Sequence, residues 1–376
     1  MNVVLISNFY NHHQSDISAE LDRRTLHHFY FVETAAMDQE REQLGWGQSG
    51  KPEYVTSDCT KLSCADVVIL GTAPEKTAQE IIRRAVPVFR YSERPLKHGA
   101  EPWKYIPRFL RWHYRNPFGK PLYLLCASAY ASGDYAKFGL FRDKAYKWGY
   151  FPETRYYTEP AALMQKKNRT RILWCGRFLD WKHPDDAIRV AKLLKNDGMD
   201  FSMDFIGTGP MENTMCNMID EFGLNTQVHI LGAMPQEQVR AHMESAGIYL
   251  FTSDFQEGWG AVLNEAMNSG CAVVASHAIG AVPYLLKNKE NGLIYRFGDT
   301  EALYRRVKRL LAEPEEQRRL GKAAYRTIVE EWNAATAAER FIKLAETILA
   351  GKKSPDLYDS GPCSRAEIMR EDWFSE

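Results

Sequence analysis

Short apolar runs alternate with amphipathic stretches along most of this chain. "VVLIS" (Val3–Ser7), "HFYFVE" (His28–Glu33), "DVVILG" (Asp66–Gly71), "VPVFRY" (Val86–Tyr91) and "LYLLCAS" (Leu122–Ser128) are apolar almost end to end rather than at every second position. A strand covered on both faces needs that pattern, as in a parallel sheet with helices on either side. The pattern restarts further on with "RILWCGRF", "FSMDFIG", "VHILGAM", "IYLFTS", "CAVVAS" and "GLIY". Between these runs, "HPDDAIRVAKLLKNDG", "MENTMCNMIDEFG" and "PQEQVRAHMESAG" space their apolar residues as a helix does and close on glycine, a common helix stop. Strands alternating with helices predict βαβ units, and so an α/β protein of two doubly wound domains.

The stretch between the two series carries Pro152 and Pro160 and a polar basic run, and it reads as a connection. We expect one Rossmann-like domain over 1–165 and a second over 166–333. A mostly helical run follows, broken near Pro314. The polar end, 351–376, with two prolines, reads as a loosely attached tail. Sheets of this kind take ligands beyond the carboxyl ends of their strands, so two of them facing each other would enclose a cleft.

Composition narrows the function. The 376 residues hold 48 Lys and Arg against 48 Asp and Glu, a balance that speaks against a dedicated nucleic-acid binder. Seven cysteines without a CxxC pair suggest reduced thiols rather than a disulfide framework or a zinc site. The start, "MNVVLISNFYNHHQ", lacks the charged beginning and long apolar core of a signal peptide, and no apolar run approaches the roughly 20 residues of a spanning helix. A cytoplasmic protein is expected, either free or peripheral to the inner face of the cell membrane.

Three strand-to-helix junctions in the second series carry candidate chemistry. In "ILWCGRFLDWKHPDDAI" a strand ends at Cys175-Gly176, and Arg177 and Lys182 follow in the loop. Two cations beyond a strand end suit a diphosphate, with Arg gripping two oxygens and Lys adding a point charge. Ordinary surface cations would look the same. In "DFIGTGPMEN", Gly207 and Gly209 let backbone amides approach a phosphate, or simply make a turn. Glu212 occupies the place of the third glycine of a dinucleotide fingerprint, so a nicotinamide cofactor is not supported. In "TSDFQEGWGAVLNEAMNSG", Glu257 sits on a glycine-flanked loop and Glu265 inside the helix after it. The amides around Gly258, Trp259 and Gly260 form the positive start of that helix. A carboxylate on either side suits hydroxyls, whose protons it accepts.

Together, "GRFLDWK", "IGTGP" and "SDFQEGWGAVLNEAMNSGCAVVAS" resemble the retaining nucleotide-sugar glycosyltransferases of the GT-B fold with the Glu-x7-Glu signature, the group 1 or family 4 type. The resemblance covers most of 170–330. It implies two Rossmann-like domains facing across a cleft, with the helix over 334–350 returning to the first. It implies that Gly176, Arg177, Lys182, Gly207, Gly209 and the 257–260 loop bind the donor. Arg177 and Lys182 would hold the diphosphate, Glu257 would contact the transferred sugar, and Glu265 the nucleotide ribose. No bound metal is implied.

The first domain resembles the family less. Its first loop, "SNFYNHHQSD", lacks the expected glycines, and "FRYSERPLKHG" carries Ser92 and Glu93 where many members carry a histidine. Asn11, His12, His13 and Glu93 are the acceptor-side candidates. The two histidines stand either as donors to the sugar or acceptor, with His13 the catalytic candidate, or as a solvated loop pair. His12 and His13 with His27 and His28 form a weak metal-site reading, which we set aside. Finally, "EPWKYIPRFLRWHYRNPFGK" (Glu101–Lys120) mixes five Lys or Arg with six aromatic residues. It reads as an interface with anionic lipid, as a single-strand contact, or as a helix with its aromatics packed inward.

The expected activity is transfer of a sugar, with retained configuration, from a nucleoside diphosphate sugar (UDP-linked) to a hydroxyl of a saccharide or lipid-linked acceptor in bacterial surface polysaccharide or glycolipid synthesis. The alternatives are a nucleotide-sugar 2-epimerase on the same fold, using His12, His13 and Glu93, and a non-catalytic nucleotide-sugar-binding subunit.

Overall fold

The structure, a computed structural model, describes residues 1–25, 28–37, 50–99 and 102–375. Contacts divide the chain into two compact units: Met1–Glu153 with Trp332–Arg370, and Thr154–Glu331 with the residues from Glu371 onward.

Among the described residues the first unit has seven parallel strands: β1 (Val3–Ser7), β2 (Phe29–Glu33), β3 (Val55–Thr56), β4 (Val67–Leu70), β5 (Val88–Ser92), β6 (Leu122–Cys126) and β7 (Ala145–Lys147). Their order is β3-β2-β1-β4-β5-β6-β7. β1, β4 and β6 are buried along their whole length, which explains their unbroken apolar runs. The short edge strands β3 and β7 carry too few residues to show a pattern.

The second unit holds β8 (Asn168–Cys175), β9 (Ser202–Ile206), β10 (Val228–Ile230), β11 (Ala246–Phe251), β12 (Ala272–Ser276) and β13 (Leu293–Tyr295), in the order β10-β9-β8-β11-β12-β13. All pairings here are parallel. The winding direction reverses between β8 and β11, so their carboxyl ends flank the crevice where such sheets take ligands. Helices Pro184–Asn196 and Thr300–Ala312 cover the sheet through Ala187, Val190, Leu194, Leu303 and Val307.

The helix Ala334–Leu349 belongs to the first unit. Asn333 caps it, its side-chain oxygen accepting from the Thr336 amide at 2.9 Å. Ala337, Phe341, Leu344 and Ile348 recur at helical spacing and are buried, and the Phe341 ring meets Phe89 edge-on with centroids 5.0 Å apart. The helix packs against His12–Arg24.

Two stretches differ from expectation. Residues 154–165 belong with the second unit rather than the first. The Arg155 amide donates to Asn268 Oδ1 at 2.8 Å and the Tyr157 amide to the Tyr325 hydroxyl at 2.9 Å. The tail is not loose. Residues 363–366 run antiparallel along β7, with Cys363 N–H donating to the Lys147 carbonyl and Lys147 N–H to Ser364, each at 2.8 Å. The tail covers a sheet edge that would otherwise present unpaired backbone groups. Backbone bonds of this kind leave no trace in hydrophobic periodicity.

Candidate functional site

β8 ends at Cys175, and the chain turns through Gly176 and Arg177 into a short 3-10 turn, Asp180–Lys182. β11 ends at Phe251 and leads into the loop that carries Glu257. Several bonds staple these two strand-exit loops together. The Trp174 indole donates to Thr252 Oγ1 at 2.9 Å, and that hydroxyl donates to the Lys182 carbonyl at 2.7 Å. The Asp254 amide donates to the Trp181 carbonyl at 2.9 Å. The loop after β12 braces the other side, with Gly280 N–H on the Glu257 carbonyl at 3.1 Å and Ala281 N–H on the Trp259 carbonyl at 3.2 Å.

Within this frame the Lys182 ammonium meets Glu257 Oε2 at 2.5 Å, and the Ser253 hydroxyl donates to the same oxygen at 3.1 Å. Glu257 is 9% exposed and Glu265 5%. Gln236 Nε2 donates to Glu265 Oε1 at 2.9 Å. The groups share one electrostatic environment. Burial pushes the Cys175 thiol up to about 12; Glu265 adds to the rise and Lys182 opposes it. The buried Tyr249 hydroxyl, which donates to the Cys175 carbonyl at 3.2 Å, is raised well above its ordinary range by burial, then by the fields of Cys175 and Glu265 among others, Glu257 included. Both glutamates therefore act on one phenol, and Glu265 and Lys182 on one thiol. Cys175, partly exposed, and the buried Tyr249 carried no signal in the sequence beyond apolar strand positions.

The helix after the Glu257 loop runs Ala261–Asn268, with Gly260 as its N-cap at φ 91°. A side chain on Gly260 would meet the Phe251 ring at 2.5 Å, so the sharp entry requires glycine. Of the first-turn amides of this helix, that of Leu263 donates to the Gly260 carbonyl at 2.9 Å; those of Ala261 and Val262 precede any intrahelical acceptor and stand between the two carboxylates in sequence. Trp259 is fully buried, its indole donating to Asn264 Oδ1 at 2.9 Å. Of the residues expected to bind the donor, Trp259 can offer only backbone. Gly207 and Gly209 serve the local backbone, since a Cβ at either would lie 1.9 Å from the Gly176 carbonyl or 2.5 Å from the Phe178 carbonyl. Phe178 N–H donates to the Thr208 carbonyl at 2.8 Å and Met211 N–H to the Phe178 carbonyl at 3.1 Å. The GTG turn thus locks against the Gly176–Phe178 loop and sets its course. Arg177 is exposed and, among the described residues, pairs with no carboxylate.

The first unit brings its own candidates together at strand ends. Asn11 is the cap of the helix His12–Arg24, its Oδ1 accepting from the His13 amide at 2.9 Å. His12 and His13 are therefore the first turn of a helix, not loop residues. His13 stacks on Tyr150, centroids 5.9 Å apart, and the Tyr150 hydroxyl donates to Glu93 Oε1 at 2.7 Å. Lys97 holds the other Glu93 oxygen at 2.5 Å. Desolvation, with His12 beside it, holds the His13 imidazole well below its ordinary range, so the ring is neutral. The loop that bears Glu93 is anchored by Arg94, which is buried with Asp134 at 3.3 Å. Tyr150 and Lys97 link the acceptor-side candidates, and neither stood out in the sequence. His27, part of the metal reading, lies outside the described residues.

The family model for glycosyl transferases group 1 matches residues 158–327. Over this stretch the chain is similar to the group 1 glycosyl transferases. Amylovoran biosynthesis glycosyltransferase AmsK of Erwinia amylovora is 32% identical to the chain over 138 residues, 35% of this chain and 34% of that protein. A GDP-mannose-dependent alpha-(1-6)-phosphatidylinositol monomannoside mannosyltransferase of Mycolicibacterium smegmatis is 24% identical over 271 residues, 69% of this chain and 65% of that protein. The chain thus spans from about a third to about two thirds of these curated relatives. Among solved structures, Anabaena Alr3699/HepE in complex with UDP matches at a TM-score of 0.64 and 15% identity, over 93% of this chain and 100% of that one. At that identity the likeness concerns the fold: two Rossmann-like domains with the C-terminal helix in the first, the GT-B architecture. The stretch matched by the family model contains Lys182, Glu257 and Glu265.

Proposed function

We propose that this protein is a retaining glycosyltransferase that moves a sugar from a UDP-sugar to a hydroxyl of a saccharide or lipid-linked acceptor. The reading is carried by the Lys182–Glu257 pair at the β8/β11 reversal of a domain similar to the group 1 glycosyl transferases, with Glu265 on the helix that follows. The UDP held by the Anabaena neighbour favours uridine, and a GDP-mannose-dependent relative makes guanosine the comparison to run. A relative named for amylovoran biosynthesis supports a role in bacterial surface polysaccharide or glycolipid synthesis. We assign the enzyme to the cytoplasm.

In the proposed reaction the acceptor oxygen bonds to the anomeric carbon as the bond from that carbon to the diphosphate oxygen breaks. The bonding pair leaves with the diphosphate, and the acceptor proton passes to a donor phosphate oxygen on the same face. Negative charge grows on the leaving group. Arg177, Lys182 and the amides that begin the Ala261–Asn268 helix would stabilise it more in the transition state than in the ground state. These fixed cations would serve in place of a metal ion. Glu257 receives both Lys182 and Ser253 on Oε2, which leaves Oε1 to accept from a sugar hydroxyl and position it. Glu265, oriented by Gln236, would accept from the ribose.

A thermal-shift screen of UDP- and GDP-sugars gives the first test, because a bound donor raises the melting temperature according to its affinity. The stabilising donor is then incubated with and without saccharide acceptors, and after dialysis against EDTA. Expected are an acceptor-dependent product with retained anomeric configuration and an unchanged rate after EDTA. A new nucleotide sugar formed from donor alone would identify an epimerase instead, and stabilisation without any turnover a binding subunit.

A further inference from the structure

The segment 103–118 leaves uncovered a surface of unusual character. None of the residues of the helix Tyr105–Arg115 is buried. One side of the helix leans on the first unit: the Tyr105 ring stacks on Phe138 with centroids 5.1 Å apart, and Trp112 lies 4.3 Å from Phe138 and 5.2 Å from Tyr135. The other apolar residues point away. Trp103 is 73% exposed, Ile106 69%, Leu110 64%, Tyr114 60% and Phe118 73%. Ile106, Leu110 and Tyr114 recur every four residues along one side of the helix, with Trp103 in the turn just before it and Phe118 just after it. Lys104, Arg108, Arg111 and Arg115 also recur every three or four residues, so a basic stripe runs alongside. Glu75 takes Arg115 and the Gly99 carbonyl takes Arg108 at 3.3 Å; Arg111 is exposed and, among the described residues, has no carboxylate partner. The whole chain carries no net charge, yet 102–120 holds five cations and no acid.

We propose that this helix seats the protein on an anionic lipid bilayer, with the apolar stripe entering the headgroup–acyl boundary and the basic stripe meeting lipid phosphates. An apolar row flanked by cations is what lies stably in that interface. Scattered exposed apolar residues would need no explanation, but five gathered along 103–118 do. Charge decides the occupant. A second copy docking the same face symmetrically would bring two basic rows together. A single-stranded nucleic acid would gain stacking from aromatic rings, but nothing from Ile106 and Leu110 at the middle of the stripe. No helix among the described residues is long and apolar enough to cross a membrane, so the attachment is peripheral. It is independent of the donor-site reading, and its test needs no turnover.

The full chain is mixed with vesicles of phosphatidylglycerol and phosphatidylcholine, or of phosphatidylcholine alone, and pelleted at low and high salt. The expected result is binding to the anionic vesicles that weakens with salt, and little binding to the neutral ones. Arg111→Gln should weaken the anionic binding about fivefold, the share of one surface cation. Ile106→Ser with Leu110→Ser should abolish it at either salt while the melting temperature stays within a few degrees, since both residues are exposed. Brominated acyl chains should quench a part of the tryptophan fluorescence that Trp103→Phe removes. Absence of pelleting at low salt, equal pelleting of the serine variant, or a concentration-dependent dimer that the serine variant loses would each overturn the proposal.

Discussion

The Lys182 ammonium and the Glu257 carboxylate, 75 residues apart in the chain, are bonded to each other at 2.5 Å, each side chain only 12% exposed. The proposed reaction gives the two residues separate roles, one toward the diphosphate and one toward the sugar. Bonded to each other, the carboxylate fixes the ammonium in place, and in that reaction an arriving diphosphate would share it.

Lys182→Ala and Glu257→Ala should each lower kcat/KM by about a hundredfold, the scale of one lost electrostatic partner. The double variant should fall no more than about tenfold below the worse single one, because groups in contact are not additive. Each single variant leaves a buried charge without its partner and should destabilise the protein by about 3 kcal/mol, part of which the double variant recovers. Steady-state kinetics and urea unfolding on the three variants check this; fully additive losses would separate the two roles again.

Arg177→Ala should also cost about a hundredfold in turnover but leave the melting temperature unchanged, since the guanidinium is exposed and pairs with no described carboxylate. A drop in melting temperature equal to that of Lys182→Ala would assign Arg177 a structural role.

Gly209→Ala should destabilise the second unit by at least about 2 kcal/mol, for two reasons. Its φ of 156° is strained for a side chain, and the new Cβ would lie 2.5 Å from the Phe178 carbonyl oxygen. Donor affinity should fall with it, because the Gly176–Phe178 loop is set by this contact. A calorimetric melt and a donor titration read the two effects; a wild-type melt with weakened donor binding would point instead to direct phosphate contact.

His183 and Asp254 give a pH signature. Asp254 Oδ2 lies 3.6 Å from His183 Nε2, and that contact raises the imidazole above its ordinary 6.5. The resulting stability is complete below pH 6.5 and is lost as pH rises through the higher folded value. Burial raises the Asp254 carboxyl, but the contact with His183 and the bonds from Gln256 outweigh it and bring it below its ordinary 3.8. Its contribution is present above pH 3.8 and fades as pH falls through the lower folded value. Unfolding free energy should therefore decline as pH rises above 6.5, and His183→Asn, whose side chain tolerates the left-handed backbone at φ 49°, should flatten that decline. An identical slope in the variant would remove this pair as its source.

Tyr150→Phe removes the hydroxyl that holds Glu93 at 2.7 Å and leaves the ring on His13. If the first unit binds the acceptor, acceptor KM should rise several-fold while donor affinity stays as it was. A change in donor KM alone would relocate the acceptor.

Hydrophobic periodicity by itself determined the two α/β domains. It located five of the seven strands of the first sheet and all six of the second, because a parallel strand buried on both faces must be apolar throughout. The helix start at Ala261 was legible too, since Gly260 and Gly270 punctuate it. Residue chemistry placed Arg177, Lys182, Glu257 and Glu265 after strand ends in one domain. Only the tertiary structure decided which of them meet: the Lys182–Glu257, Gln236–Glu265 and Tyr249–Cys175 bonds join residues 29 to 75 positions apart, and no local pattern encodes a long-range partner. Tertiary packing also buried Trp259, placed His12 and His13 in a helix capped by Asn11, and tied down the tail by backbone bonds to β7. It decided the face of 103–118 as well. Periodicity shows that a helix has an apolar side, but whether the rest of the fold covers that side depends on what packs against it, and here Trp103, Ile106 and Leu110 are left in the open.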